Sequence, residues 1–255
     1  MNLPVFREIF LVLVLLGTFS SAFAQVCSRK SPAHTVALLE LYTSEGCSSC
    51  PPADRYLSSL AAGAIDDVVV PLSLHVDYWN HIGWEDPFSR PLFTQRQRWL
   101  SDLAASRTVY TPEVFVGGRE LRNWRGETAA MLRRINAQPA RASIEITLGS
   151  VAGHHVPVAV KANSPLPANL SLYVALYENK LSSDVSRGEN SGVRLHHDRV
   201  VREWIGPVAL TRGSAAVTKV LDLPLSSRPD QMGVAAFVQS DQGEVLQALA
   251  LPACS

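Results

Sequence analysis

The sequence predicts an α/β domain over residues 25–140, followed by an all-β, sandwich-like domain over residues 141–255. Two observations carry this prediction. Before residue 139, apolar stretches of strand length alternate with stretches of helical periodicity, which is typical of α/β proteins. After residue 139, short segments alternate apolar and polar residues or run apolar, with turn residues between them and no helical period.

The first half predicts strands and helices in the order βαβαββα. The continuous apolar run 36–42 indicates a strand that is covered on both faces. Residues 51–62 carry apolar side chains at helical spacing, with polar ones on the other side. Further strands are expected at 68–76, 112–118 and 119–123, and further helices at 88–106 and 127–137.

The second half predicts seven strands without helices. Its strand-like segments are 143–148, 156–162, 170–177, 200–204, 215–223, 233–239 and 245–251. Gly, Pro, Asn and Ser lie between them, and residues 188–192, GENSG, predict a polar loop. This spacing favours a sandwich-like domain.

The first 24 residues predict a cleaved signal peptide. An apolar core at 9–16 is too short to span a bilayer, and Ala22-Phe23-Ala24 fits the small-x-small cleavage rule. A membrane anchor is the alternative. We expect an exported protein, periplasmic or secreted, whose mature chain contains no membrane span.

Charge excludes some partners. The chain has 23 Lys and Arg and 23 Asp and Glu residues, so its formal net charge is zero, and no basic run occurs. Nucleic acid and anionic membrane surfaces are therefore not expected as partners.

Cys47 and Cys50 form a CxxC motif between a predicted strand and a predicted helix. The start of a helix stabilises a thiolate, which is the nucleophilic form of cysteine, so Cys47 is the candidate nucleophile. Cys50 would then attack the mixed disulfide that Cys47 forms. Pro51 and Pro52 suit the first helical turn, where a missing N–H has no cost.

The motif and its surroundings resemble the thioredoxin superfamily. The segments ELYTSEGCSSCPPAD, HVDYWNHIGWEDPFS and VYTPEVFVGGR are similar, over residues 37–119, to a family of exported bacterial proteins of unknown function with a thioredoxin-like domain. The resemblance implies a thioredoxin-like fold for residues 25–140. It also implies a cis-proline at Pro112, which would present the Thr111 backbone to a substrate, and a buried acid at Glu40 that takes the Cys50 proton.

Aromatic residues follow the second predicted strand, whose carboxyl end should lie beside the CxxC motif. Tyr78 and Trp79 are therefore candidates for a substrate groove. The alternative is that the tryptophans of this segment form a small core against the second domain.

Two non-enzymatic alternatives remain open from the sequence. Cys47, Cys50, His75 and His81 could together bind a soft metal such as copper or zinc, or the CxxC disulfide could be static in a scaffold protein. The favoured interpretation is an exported thiol–disulfide oxidoreductase-like protein without a cofactor. Its partner would be a protein or a small thiol or disulfide.

Cys27 and Cys254 lie near opposite ends of the chain. Since domain termini often lie close together and the compartment is expected to be oxidising, a structural disulfide between them is predicted. Two free thiols are the alternative.

Overall fold

The protein is described by a computed structural model over residues 26–62, 67–151, 153–166 and 169–254. The predicted signal peptide, residues 1–24, lies outside the described residues. The helices are α1 (Pro51–Ala62), α2 (Pro91–Leu103) and α3 (Trp124–Asn136). The strands are β1 (Cys27–Lys30), β2 (Ala37–Thr43), β3 (Val69–His75), β4 (Glu113–Val116), β5 (Arg119–Glu120), β6 (Ser143–Leu148), β7 (His155–Asn163), β8 (Leu170–Glu178), β9 (Leu181–Asp184), β10 (Arg194–His197), β11 (Val200–Ala209), β12 (Ser214–Asp222), β13 (Met232–Ser240) and β14 (Val245–Pro252).

The largest sheet has eight strands and contains strands from both halves of the chain. Its order is β14-β13-β8-β11-β3-β2-β4-β5. Strands β2 and β3 are parallel, and β4 is antiparallel to β2. The two halves meet where β11 lies parallel to β3, with Val200 opposite Ser73. The sheet therefore runs without a break across the boundary that the sequence predicts near residue 140.

Two smaller sheets complete the fold. Strands β1, β6, β7 and β12 form an antiparallel sheet in the order β1-β6-β7-β12, and β9 pairs with β10 in a hairpin. Strands β1, β9 and β10 are not among the strands that the sequence predicts. Strand β1 precedes the first α/β unit in the chain, yet it pairs with β6 of the second half.

Strand β2 lies between helices on its two faces, which gives the first half its layered arrangement. All seven of its residues are buried. Leu39 and Leu41 pack with side chains of α1 and α3, whereas Leu38 and Tyr42 pack with side chains of α2. This is the double-sided cover that its continuous apolar run predicts.

The second half has a core between two sheets. Strand β7 alternates exposed and buried residues, and its inward side chains, such as Val158 and Val160, meet Leu172 and Val174 of β8. The opposite face of β8 contributes Ala175 and other residues to the core under α2. Helix α2 thus covers a face that both halves share.

Cys27 and Cys254 form a disulfide with a Cα–Cα distance of 5.8 Å. It ties the start of β1 to the residues after β14 and closes a span of 227 residues. A loop of this length gives about 5 kcal/mol of stabilisation in the chain-entropy model. Within the described residues, no helix is long and apolar enough to cross a membrane.

Candidate functional site

The CxxC motif lies on the turn that joins β2 to α1. The Cys50 carbonyl oxygen accepts hydrogen bonds from the amides of Ala53 (2.8 Å) and Asp54 (3.1 Å), so Cys50 immediately precedes the helix. Cys47 and Cys50 form a disulfide. The relative exposure of Cys47 is 1% and that of Cys50 is 0%, so the bond is covered on all sides.

Residues from two other segments form the wall beside Cys47. The Cys47 Sγ lies 3.7 Å from the Thr111 carbonyl oxygen, and the Thr111–Pro112 peptide bond is cis. The Trp79 indole Nε1 donates a hydrogen bond of 2.7 Å to the Thr111 hydroxyl. The structure therefore brings Trp79, Thr111 and Pro112 to the cysteines.

Tyr78 and Trp79 differ in their surroundings. Both are half-buried and pack against the core beneath α2. A side chain on Gly46 would approach the Trp79 Cβ to 3.2 Å, so the absence of a side chain lets the aromatic segment lie against the CxxC turn. Burial raises the pKa of the Tyr78 hydroxyl, and its interactions with Gln97 and Thr111 offset that rise in part, so Tyr78 also lies near the wall beside Cys47.

Glu40 lies on the other face of β2. Its Oε1 accepts a 2.6 Å hydrogen bond from Arg96 Nε, and its Oε2 accepts one of 3.1 Å from Arg96 Nη2. The Tyr42 hydroxyl also donates to Glu40 Oε1 at 3.2 Å. Burial by itself would lower the pKa of Arg96, but the charge and hydrogen bond of Glu40, together with the nearby Tyr42 and Tyr173, raise it above its usual value.

The position of Glu40 differs from the one that its expected role requires. Leu39 and Leu41 face α1, the helix that follows the cysteines, and Glu40 between them points towards α2. Glu40 forms an ion pair with Arg96 rather than approaching Cys50. Its proposed proton transfer with Cys50 stays a prediction that this placement does not favour.

A buried polar cluster, which no sequence pattern predicts, lies instead on the α1 side of the sheet. We call it the His–carboxylate cluster. Its members are Glu45, Asp54, His75, Asp86 and His197. His75 Nδ1 lies 2.7 Å from Asp86 Oδ2, and His197 Nε2 lies 3.0 Å from Glu45 Oε1. The two imidazole rings are 4.9 Å apart, edge to face.

The pair of His75 and Asp86 is electrostatically stabilised. Burial by itself lowers the pKa of His75, but the Asp86 carboxylate and its hydrogen bond outweigh burial and raise that pKa. Burial by itself raises the pKa of Asp86, but the charge of His75 and the hydrogen bonds from His75 and from the amides of Glu45 and Phe88 together lower it. Asp86 Oδ2 also accepts a hydrogen bond of 2.8 Å from the Glu45 amide, so this pair stabilises the turn before Cys47.

Asp54 lies in the first turn of α1, four residues after Cys50, and is close enough to His197 and His75 for their charges to act on it. Burial raises the pKa of Asp54, and the opposing effects of His197 and His75 offset burial only in part. Within the described part of the chain, Asp54 Oδ1, His75 Nε2 and His197 Nδ1 have no hydrogen-bond partner. Buried polar atoms without partners are rare, so this cluster has unused capacity to bind water or to exchange protons.

One signal in the sequence could have identified Asp54. It is an acid four residues after Cys50, on the helical face that also carries the buried Ala53 and Leu57. The other members come from distant segments, and His197 belongs to a hairpin in the second half. Nothing in the local pattern indicates that His197 meets His75.

The four residues of the metal alternative are not gathered around one point. Cys47 and Cys50 are bonded to each other, and His75 is paired with Asp86. His81 is exposed, and its Nδ1 lies 2.7 Å from the Tyr78 carbonyl oxygen. Among the described residues, no group of three or more His, Cys, Asp or Glu side chains is arranged to hold a metal ion.

Comparisons with known proteins identify a family and a fold. The family model described as "Protein of unknown function (DUF1223)" matches residues 38–239, which is most of the chain. None of the curated proteins compared with the chain matches it.

Two solved structures are similar in different degrees. A crystal structure of a protein from Agrobacterium tumefaciens has 24% sequence identity and a TM-score of 0.60, and the match covers 87% of this chain and 96% of that chain. At this identity the likeness concerns the fold alone. A beta-glucosidase from Kluyveromyces marxianus, solved in complex with glucose, has 14% identity and a TM-score of 0.22, over 54% of this chain and 18% of that chain. That second likeness carries no argument.

Proposed function

The chain belongs to this family of proteins of unknown function, and we propose that it carries out thiol–disulfide exchange through Cys47 and Cys50. The observation that carries the proposal is a CxxC disulfide at the start of a helix, with the Thr111 carbonyl 3.7 Å from the Cys47 sulfur. A helix start favours a thiolate, and a neighbouring backbone carbonyl suits an extended partner chain.

The exchange has two steps in each direction. With the couple reduced, the Cys47 thiolate attacks one sulfur of a partner disulfide, forms a mixed disulfide and releases a partner thiolate. The Cys50 thiolate then attacks the Cys47 sulfur and releases the second partner thiolate, which leaves Cys47–Cys50 oxidised. In the reverse direction, the same two steps reduce Cys47–Cys50 and oxidise a partner dithiol to a disulfide.

Asp54 is the acid best suited to serve Cys50 in these steps. Cys50 is fully buried, so its proton must pass through the protein. Asp54 lies four residues after Cys50, in the first turn of α1, and burial raises its pKa above that of a free carboxyl group, which suits an acid that exchanges protons. Glu40 takes no part in this scheme, since Arg96 holds it on the other face of β2.

The proposal includes a thioredoxin-like arrangement and export. Parallel β2 and β3, antiparallel β4, and a helix that follows the CxxC motif support the first. Two disulfides within one chain support the second, because disulfides persist in oxidising compartments.

Two cysteine variants test the proposed exchange. Cys47→Ser should abolish exchange with a small model disulfide, because it removes the nucleophile. Cys50→Ser should leave the first step intact and accumulate a mixed disulfide on Cys47, which mass spectrometry of the intact protein detects. Equal exchange by wild type and Cys47→Ser would rule out the function.

A static disulfide is the second candidate, and the burial of both cysteines favours it. A structural bridge needs no access for a partner, whereas exchange requires that one sulfur becomes exposed. If the static bridge is correct, the rate at which dithiothreitol reduces Cys47–Cys50 should equal the rate of global unfolding. A much faster rate would favour exchange from the native state.

A further inference from the structure

A loop from the second half of the chain lies against the turn that carries Cys47. It joins β9 to β10 and comprises residues 185–193, and we call it the 185–193 loop. The Asn190 side-chain Nδ2 donates hydrogen bonds to the carbonyl oxygens of Glu45 (2.8 Å) and Cys47 (3.0 Å). Asn190 is itself buried, so the loop is firmly seated on the CxxC turn.

Glu189 places a carboxylate next to Cys47. Its Oε2 accepts hydrogen bonds from the Ser48 amide (2.9 Å) and from the Ser48 hydroxyl (2.8 Å). These two bonds lower the pKa of Glu189, so its negative charge is present at neutral pH. Ser48 directly follows Cys47, and it is separated from Glu189 by 141 positions in the chain.

The Ser48 amide is one of few donors available at this helix start. Pro51 and Pro52 have no N–H, and the Cys50 amide donates to the Cys47 carbonyl oxygen at 3.2 Å. A Cys47 thiolate would therefore rely on the amides of the Ser48-Ser49 turn and on the Ser49 hydroxyl, whose Oγ lies 3.3 Å from Cys47 Sγ. Glu189 already occupies the first of them, and its charge repels a thiolate.

The other charged groups near the cysteines do not replace this effect. Glu45 is held by His197 and by the Trp84 indole, which donates to Glu45 Oε2 at 2.9 Å. Asp54, His75 and Asp86 belong to the His–carboxylate cluster beneath the turn. All of these groups are buried, whereas Glu189 is exposed on a loop.

We propose that Glu189 is a positioning residue that restrains the nucleophilicity of Cys47, by holding a negative charge on the Ser48 amide at the start of α1. The inference rests on the proposed exchange function. The second half of the chain thus regulates the Cys47–Cys50 pair. The reactivity of the Cys47 thiol is low while the 185–193 loop lies against the CxxC turn, and it rises when a partner displaces that loop.

The variant Glu189→Gln tests this role, because a glutamine oxygen can still accept from Ser48 and only the charge is lost. The reaction of Cys47 with iodoacetamide would be followed against pH in the Cys50→Ser background, so that a single thiol titrates. The variant should lower the pKa of the Cys47 thiol by about 0.5 unit. Alkylation well below that pKa should then be about threefold faster.

Two controls separate charge from structure. Glu127→Gln removes an exposed carboxylate from the first turn of α3 and should leave the titration of Cys47 unchanged. At 1 M salt, where the Debye length is about 3 Å, the difference between Glu189→Gln and its parent should shrink. A loss of loop structure alone would produce no such salt dependence.

The outcomes distinguish the inference from the function on which it rests. A lowered Cys47 pKa in Glu189→Gln, with none in Glu127→Gln, supports the inference. An unchanged or raised pKa in Glu189→Gln, with Cys47 still reactive in the folded protein, overturns the inference and leaves the exchange function standing. If Cys47 reacts only upon unfolding in every variant, both proposals fail.

Discussion

A buried acid lies on each side of strand β2, and the two acids differ in their hydrogen-bond partners. On the α2 face, Glu40 is held by two hydrogen bonds from Arg96, whose guanidinium also lies 4.9 Å from the ring centres of Tyr173 and Trp204. On the α1 face, Asp54 has a carboxylate oxygen with no partner among the described residues. An acid that is hydrogen-bonded to a guanidinium stabilises the fold, whereas a buried acid with an unpaired oxygen and a raised pKa can gain and lose a proton. We therefore expect Glu40 to contribute to stability and Asp54, under the proposed function, to contribute to thiol–disulfide exchange.

The largest expected effect comes from breaking the Glu40–Arg96 pair. Arg96→Met should reduce the free energy of unfolding by about 3–5 kcal/mol, because it leaves the Glu40 charge buried without its partner. Denaturation in urea measures the loss. The double variant Glu40→Met/Arg96→Met serves as the control and should recover much of the stability, because no charge then remains buried. Two equally unstable proteins would contradict the structural role of the pair.

The next largest effect distinguishes Asp54 from Glu40 by how each affects the rate at which Cys47–Cys50 is reduced. Asp54→Asn should slow the reduction of Cys47–Cys50 at pH 7 by about 100-fold, because the buried Cys50 loses its proton donor. Glu40→Gln, measured under conditions in which it stays folded, should leave the rate unchanged. Stopped-flow measurement with dithiothreitol gives both rates. If Glu40→Gln is the slow variant, the sequence-based role of Glu40 is right and the comparison is wrong.

The smallest effect concerns another buried acid, Glu113, which directly follows Pro112. Burial raises the pKa of Glu113 from 4.5 to about 7, and hydrogen bonds from Gln97 and Ser101 offset burial only in part. The folded protein therefore retains a proton that the unfolded chain releases above pH 4.5. Stability from this group is fully present below about pH 4.5 and is lost as the pH rises through about 7.

The variant Glu113→Gln checks this pH dependence. Relative to the variant, wild type should lose on the order of 1 kcal/mol between pH 4.5 and pH 7, after allowance for solvent screening. Parallel urea titrations at several pH values measure the difference. A wild type that gains stability relative to Glu113→Gln over this range would show that Glu113 has a lowered pKa instead.

Local patterns in the sequence predict much of the secondary structure of the first half. The range 51–62 predicted by helical periodicity is the range of α1, and the apolar run 36–42 lies within one residue of β2. Helix α2 is shorter than the predicted 88–106, because Pro91 fixes its start and Ala105, at a φ of 52°, lies beyond its end. These features depend on residues that are close together in the chain.

The role of Glu40 could not be predicted from its position, for a physical reason. Leu38 and Tyr42 on one side and Leu39 and Leu41 on the other are all apolar, so β2 gives no indication of which face α1 covers. An acid in such a strand could belong to either face. Only the position of Arg96, 56 residues away, decides between them.

The contribution of the second half to the site could not be predicted from the sequence either. Strands β9 and β10 are short and polar, and their hairpin is fixed by contacts with the CxxC turn, such as the bond between Glu189 and Ser48. The meeting of β3 with β11 rests on one register pair between distant segments. Long-range contacts of this kind leave no local period.

The central claim is that Cys47–Cys50 is an exchange couple, and its reduction potential tests that claim most directly. The protein would be equilibrated in redox buffers, with Cys27→Ser/Cys254→Ser as the background that leaves a single couple. We expect a potential above about −300 mV, within the range of thiol–disulfide exchange proteins. A potential well below about −300 mV would mark Cys47–Cys50 as a structural bridge and contradict the account.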